Sequence, residues 1–376
     1  MCRYPCDRPD TALLRRQAGR VGRMSLVIAA VALAGCASGG DNSATGAQRT
    51  ASSAPAPSSS STTLGPALST PATSSTTSTT TEPTTSTTVT PVSSTTTSVP
   101  WSGPCGSTAP PPVTYEHVIW IWMENKNHAS VLHANRESPF MHDLATACAT
   151  ASDYVDHGIH PSLPNYIAAT SGDDQGIADD DPPSKHPLDV DNIFRQVRDS
   201  GRIARSYEEA MPGNCVLHSA GKYAVKHNPA AYYVGADDRQ ACERDDVPFD
   251  QFGAHLNGPS ESFPAFAFVT PDICNDMHDC SVSTGDDWLR TNVQSIVSSE
   301  LYRAGRTAVF IVFDESEGAG TIPFIAIAPS IEPGTVATTT LDHFSLLRFT
   351  ENALGIEEHL GRAADAAPLR AAVPGL

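Results

Sequence analysis

His117-Val-Ile-Trp-Ile-Trp-Met123 runs without a break into Glu124-Asn125. A short run of β-branched and aromatic residues, apolar on both alternating faces, reads as a strand buried on both sides, the pattern of a parallel sheet covered by helices. The pattern recurs at Thr307 to Phe313, which stops at Asp314-Glu315. Ala265 to Val269, Ile322 to Ala328 and Ile203 to Tyr207 read as further strands. Between them, Phe140 to Ala149, Leu163 to Thr170, Asn192 to Ser200, Trp288 to Leu301 and Phe344 to Leu354 have helical spacing, with Pro164 placed in a first turn. Strands alternating with helices predict one α/β domain with a mainly parallel central sheet and helices on both faces. Ligands in such folds gather beyond the carboxyl ends of the strands, where Glu124-Asn125 and Asp314-Glu315 fall.

That domain fills residues 104–376, and the chain before it is a different polymer. Arg15, Arg16, Arg20 and Arg23 precede the apolar run Leu26 to Ala34. The run is too short to span a bilayer and reads as a cleaved signal. Leu33-Ala34-Gly35-Cys36 resembles the bacterial lipobox, which implies that residues 1–36 form a lipoprotein signal peptide and that Cys36 is lipidated. The alternative is a secreted protein in which Cys36 is incidental, and Met24 is an alternative start. Residues 37–103 are almost entirely Ser, Thr, Pro, Ala and Gly. They cannot bury enough apolar surface to fold, so a disordered stalk is expected.

Residues 104–376 hold 17 Lys and Arg against 38 Asp and Glu. This balance excludes the basic face of a general nucleic-acid binder and loose adhesion to anionic lipid. Membrane association is therefore expected through the lipid anchor alone, and the location outside the cytoplasm. The domain has six cysteines, an even number that reads as three disulfides in an exported protein. Pairing by order along the chain gives Cys105–Cys148 and Cys215–Cys242, with Cys274–Cys280 stapling one loop. A zinc site is the rival reading, although no C-x2-C spacing supports it.

Glu124, Asn125, Asp314 and Glu315 make an oxygen-rich cage for a hard divalent cation. The plainer reading is solvated loop residues, which two such clusters at strand ends make less natural. Ser162 stands where a helix begins, in His160-Pro-Ser-Leu-Pro-Asn-Tyr166. A serine there is an ordinary N-cap; the same position would set a nucleophilic hydroxyl beside helix N–H groups open to a phosphoryl oxygen.

Further motifs follow in order. Lys226-His-Asn-Pro229, Cys274-Asn-Asp-Met-His-Asp279, Phe313-Asp-Glu315 and Asp342-His-Phe-Ser-Leu-Leu347 succeed Met123-Glu-Asn125 and Pro161-Ser-Leu-Pro-Asn-Tyr166. Together they resemble the phosphoesterase family of bacterial acid phosphatases and non-specific phospholipases C, within the alkaline phosphatase-like superfamily, over most of residues 115–355. The resemblance implies an alkaline phosphatase-like domain whose metal is held by Glu124, Asn125, Asp314 and Glu315. It makes Ser162 the nucleophile and matches His227 and His278 to residues contacting phosphate or the leaving group. Lys226, Asn165, Asp276 and His343 are further substrate-binding candidates; Asp342-His343 could equally be a helix cap, and His160 orients the nucleophile loop. The sequence departs from the family after Glu315. Ser316-Glu-Gly-Ala-Gly320 leads quickly to Ile322, and Glu317 is an extra carboxylate able to compete for the metal. Oxygen ligands suit calcium or magnesium, while the nearby imidazoles keep zinc open.

The expected function is an exported, metal-dependent phosphomonoesterase of acid phosphatase type that works through a phosphoserine. Its substrate would be a phosphorylated small molecule or a phospholipid headgroup. A phospholipase C-type phosphodiesterase is the alternative, less favoured because the chain ends about 60 residues past Asp314. A surface binding module with an inactive site is the third reading.

Overall fold

The run that opens the sequence argument forms β1 (His117–Met123), and all seven residues are buried. The computed structural model describes residues 103–133, 137–318 and 320–376. The predicted signal peptide, Cys36 and the stalk as far as residue 102 lie outside them. The remaining strands are β2 (Ala149–Ala151), β3 (Tyr154–Val155), β4 (Ala204–Glu208), β5 (Asp246–Pro248), β6 (Phe266–Thr270), β7 (Thr307–Phe313), β8 (Phe324–Ile327), β9 (Thr335–Ala337) and β10 (Leu341–Asp342). Eight of them form one sheet in the order β5-β4-β6-β1-β7-β8-β2-β9, and β10 pairs with β3 separately.

β5, β4, β6, β1 and β7 are mutually parallel, and β8 alone runs antiparallel to both its neighbours. The mainly parallel sheet is therefore as read from sequence. The reversal at β8 was not legible, because four buried residues carry no directional signal. Three-residue strands β2, β5 and β9 are too short to show any period.

Alternation along β1 sends Trp120 and Trp122 to one face. There Trp120 Nε1 donates to Thr350 Oγ1 at 3.0 Å, and Trp122 packs on Tyr166 and His343. Phe194 lies on Phe266 and Phe268 of β6. The helices Ser162–Ser171, Ile193–Asp199 and His343–Ala353 thus cover this face. The other face is equally buried. The helix Pro139–Ala147 packs on β2 and β8 there, with Val282–Ser298 against it.

Val282–Ser298 starts six residues before the apolar period predicts, and the predicted Trp288–Leu301 element breaks at Ser299, which caps the short helix Glu300–Arg303. Its first turns are fixed by tertiary contacts. Gly285 lies so close to Met277 that a Cβ would meet the Met277 side chain at 2.5 Å. Asp286, fully buried, accepts from the Phe140 and Met141 N–H groups at 3.0 and 2.8 Å. It thereby satisfies orphan donors of a helix whose own N-cap, Ser138, makes no side-chain cap bond. Three disulfides, Cys105–Cys148, Cys215–Cys242 and Cys274–Cys280, tie the surface segments. No helix among the described residues is long and apolar enough to cross a membrane.

Charged hydrogen bonds contribute about 1.5–3 kcal/mol each, and Asp286 makes two to backbone donors. Asp286→Ala is expected to destabilise the fold by about 2–4 kcal/mol, read as a lower urea midpoint. A loss within experimental error would show that solvent satisfies that helix end.

Candidate active site

The parallel register pairs Met123 with Phe313, so the next residues, Glu124 and Asp314, leave the sheet side by side. The Asp314 N–H donates to the Met123 carbonyl at 3.0 Å, and the Asn125 N–H donates to Asp314 Oδ1 at 2.9 Å. Asn125 sits at φ 42°, a left-handed conformation that asparagine tolerates better than most residues, and it turns the chain at the end of the strand. The loop after β6 joins them, since Glu124 N–H donates to the Asp276 carbonyl at 2.9 Å. Glu124, Asp314 and Asp276 are fully buried.

Ser162 is the first residue of its helix, and the N-cap position belongs to Pro161. The capping alternative for Ser162 therefore fails. Its hydroxyl donates to Glu124 Oε2 at 3.0 Å, while Tyr166, one turn on, donates its phenol to Glu124 Oε1. The ring of His227 stacks on Tyr166, with Nε2 3.3 Å from Glu124 Oε1 and Nδ1 3.2 Å from Asp276 Oδ2. His278 is exposed beside it, its Nε2 3.5 Å from Lys226 Nζ. Asn165 donates to the Ile159 carbonyl at 2.9 Å and weakly to Glu315 at 3.4 Å. Glu315 is held chiefly by His160 Nδ1, which gives His160 its anchoring role on the loop before Ser162.

Of the predicted residues, Glu124, Asn125, Ser162, Asn165, Lys226, His227, Asp276, His278, Asp314 and Glu315 form one linked cluster. His343 stands behind it: buried, with Nε2 2.7 Å from the Asp314 carbonyl and its ring on Trp122. Asp342 is the helix N-cap, in a capping box with Ser345. Glu317 pairs with Lys126 at 2.6 Å and is more than half exposed, so it is turned from the cluster. Two residues were not predicted. Tyr166 lay within a quoted motif without a role, and Asp180 lay hidden in the acidic run Asp179–Asp181, where only its contacts distinguish it. Asp180 accepts from the Leu163 N–H and from Lys226, each at 3.0 Å. The helix N–H next to Ser162 is thus occupied by a side chain.

Burial and the neighbouring charges of Asp314 and Asp276 push the Glu124 carboxyl well above its usual range. Burial raises Asp276 likewise, and burial with Glu315 raises Asp314. Burial, Lys226 and His278 hold His227 well below the ordinary imidazole value, so it is neutral. Against the effect of its own burial, Lys226 is raised by the Asp180 hydrogen bond and by the Asp180, Glu124 and Asp314 charges.

With its amide nitrogen turned toward them, Asn125 donates to Glu315 Oε1 and Asp314 Oδ1, each at 3.1 Å, which ties these three residues together. Such a group of buried acids asks for a cation, and two observations fit one. His227 Nδ1 and Nε2, Asp276 Oδ2 and Asn165 Oδ1 are buried without a hydrogen-bond partner. Ligand atoms of Glu124, His227 and His278 lie within 4.8 Å of one another. The atoms brought within ligand distance form a carboxylate–imidazole group, and the residues of the predicted oxygen cage adjoin it at Glu124.

A model of the Phosphoesterase family matches residues 119–357. The chain belongs to that family. The phosphatidylinositol-3-phosphatase of Mycobacterium tuberculosis is 28% identical over 72% of this chain and 86% of its own length. A probable acid phosphatase of Kluyveromyces lactis is 29% identical over 54% of this chain and 50% of its own. This phosphoesterase chain thus spans about half the length of the fungal enzymes it matches. A solved protein of the alkaline phosphatase superfamily from Vibrio parahaemolyticus superposes with TM-score 0.49 at 13% identity, over 69% of this chain and 72% of that one.

The raised carboxyls fix a pH dependence. An acid whose folded value is raised favours the folded state at low pH, and that contribution is lost as pH rises through the folded value. Above about pH 7.5 histidines are neutral in both states, so the slope is set by the acids still raised there: Glu124 and Asp314, the latter pushed up to about 8, in the cluster, and Glu208 and Glu351 outside it. In chelator, stability is expected to fall from pH 7.5 to 9, and a bound divalent cation should flatten the fall. Urea midpoints at both pH values check this; the cation should reduce the share of the fall that Glu124 and Asp314 contribute, and a slope indifferent to it would detach metal binding from those two.

Proposed function

We propose that this phosphoesterase is an exported, metal-dependent phosphomonoesterase of acid phosphatase type in which Ser162 attacks the phosphorus. The observation that carries the reading is the Ser162 hydroxyl, free of any capping duty and hydrogen-bonded to the buried Glu124 carboxylate. A serine in that setting is held with a carboxylate within reach of its hydroxyl proton.

Glu124, Asn125, Asp314 and Glu315 would hold the divalent cation, with His227 and Asp276 adjoining. When bound, the cation supplies positive charge that favours the serine alkoxide and neutralises phosphoryl oxygens. The protein groups do the rest. Glu124 draws the proton from Ser162, and the Ser162 Oγ–phosphorus bond forms as the bond to the departing alcohol breaks. Lys226 offsets charge on the non-bridging oxygens. His278, on the open side of the cluster, would give the alcohol its proton, whereas His227 is enclosed between Glu124, Asp276 and Tyr166. Water then breaks the Oγ–phosphorus bond and restores the hydroxyl. His343 acts from behind by fixing the Asp314 backbone.

The names of the relatives support the monoester over the diester alternative, and the phosphatidylinositol-3-phosphatase adds phosphorylated inositol headgroups to the substrates worth testing. Three disulfides fit an oxidising compartment, and a lipid on Cys36 would tether the domain outside the cytoplasm. These readings of the substrate and of Cys36 are part of the proposal.

Ser162→Ala removes one hydrogen bond, worth about 1 kcal/mol, and should fold. Its turnover of a chromogenic phosphomonoester should drop by about three orders of magnitude or more. Wild type quenched in acid should carry phosphate on Ser162, and a chelator should stop turnover. Near-normal rates in the variant would mean direct attack by water; faster cleavage of a choline phosphodiester than of the monoester would favour the phospholipase C reading.

A further inference from the structure

Composition reads Asp179-Asp180-Asp181 as a solvated acidic run, yet the Asp180 carboxylate has two specific partners. Oδ1 accepts from the backbone N–H of Leu163, the residue after Ser162, and Oδ2 accepts from Lys226 Nζ, both at 3.0 Å. A helix N-terminal N–H and a cation are the kinds of donor that receive phosphoryl oxygens. Here both stand beside the serine and both are taken. The surrounding backbone is anchored: Asp181 N–H donates to Asp179 Oδ1 at 3.0 Å, Tyr232 donates to the Asp181 carbonyl at 3.1 Å, and Asp179 pairs with His186 at 2.6 Å. The Asp180 side chain is itself 30% exposed, so rotation toward solvent frees both donors without moving that backbone.

We propose that Asp180 is a resident carboxylate that occupies the phosphoryl seat beside Ser162, is displaced by the phosphate ester, and so weakens the hold of the seat on phosphate. The proposal rests on the reading of Ser162 as the nucleophile. Any anion entering the seat competes with a carboxylate already bonded there. The cost of displacing Asp180 is the same for ester and orthophosphate, so it weakens the hold of the seat on both, the product included.

Orthophosphate is the probe, titrated calorimetrically into the full chain and measured as an inhibitor of chromogenic monoester turnover. Asp180→Asn keeps an oxygen for the Leu163 N–H and removes the competing charge. Phosphate should bind it roughly tenfold more tightly, the effect of about 1.4 kcal/mol, at an unchanged thermal midpoint. Asp180→Ala should also tighten phosphate binding, with a lower midpoint from the lost cap. Unchanged or weaker binding in Asp180→Asn, while wild type still binds phosphate and Ser162→Ala is inactive, overturns the proposal and leaves Asp180 a structural partner of Lys226. An active Ser162→Ala protein, with no phosphate bound by wild type or variant, would instead sink the nucleophile reading and this proposal with it.

Discussion

The register of β1 against β7 is the constraint on which the site depends. Seven consecutive pairs, His117 with Thr307 through Met123 with Phe313, leave no freedom in where the following residues emerge. Both strands are buried on both faces, so a shift by one residue would turn every side chain to the opposite layer and break the packing of Trp120 and Trp122. The core thus fixes the approach of Glu124 to Asp314, a contact between like charges that would not form on its own. Hydrophobic burial along two strands holds two carboxyls where electrostatics alone would separate them.

The neighbouring parts of the cluster are held in the same manner, from outside. Glu209 accepts from Asp272 N–H, Asn275 and Trp288, and so pins the loop that carries Asp276 and His278. Cys274–Cys280 closes that loop. Thr270, at the end of β6, donates to the His227 carbonyl at 3.2 Å. The β6 loop and His227 are thus positioned by residues outside the cluster, and the precision of the site comes from strand ends and packed helices.

Much of this was legible in the sequence because the signals were strong where the structure is simplest. Long apolar runs ending in acids marked β1 and β7, and motif order marked Ser162, His227, Asp276 and His278. What escaped had a tertiary origin. Asp286 caps a helix nearly 150 positions away in sequence, and Gly285 is required by Met277; neither leaves a periodic trace. Asp180 resembles its acidic neighbours until its partners are seen. His343 could be read as a helix cap or as a site residue, and only its bond to the Asp314 carbonyl shows that it supports the site from below.

The separation of these residues along the chain has a consequence for how the molecule matures. Glu124 and Asn125 must await Asp314 and Glu315, nearly two hundred positions later, and the β6 loop must dock on the other side of β1. Contacts of such long range form late and slowly. A chain halted before β7 inserts would present an apolar strand edge, with its acids scattered. The acid cluster and the fold are thus completed in a single event.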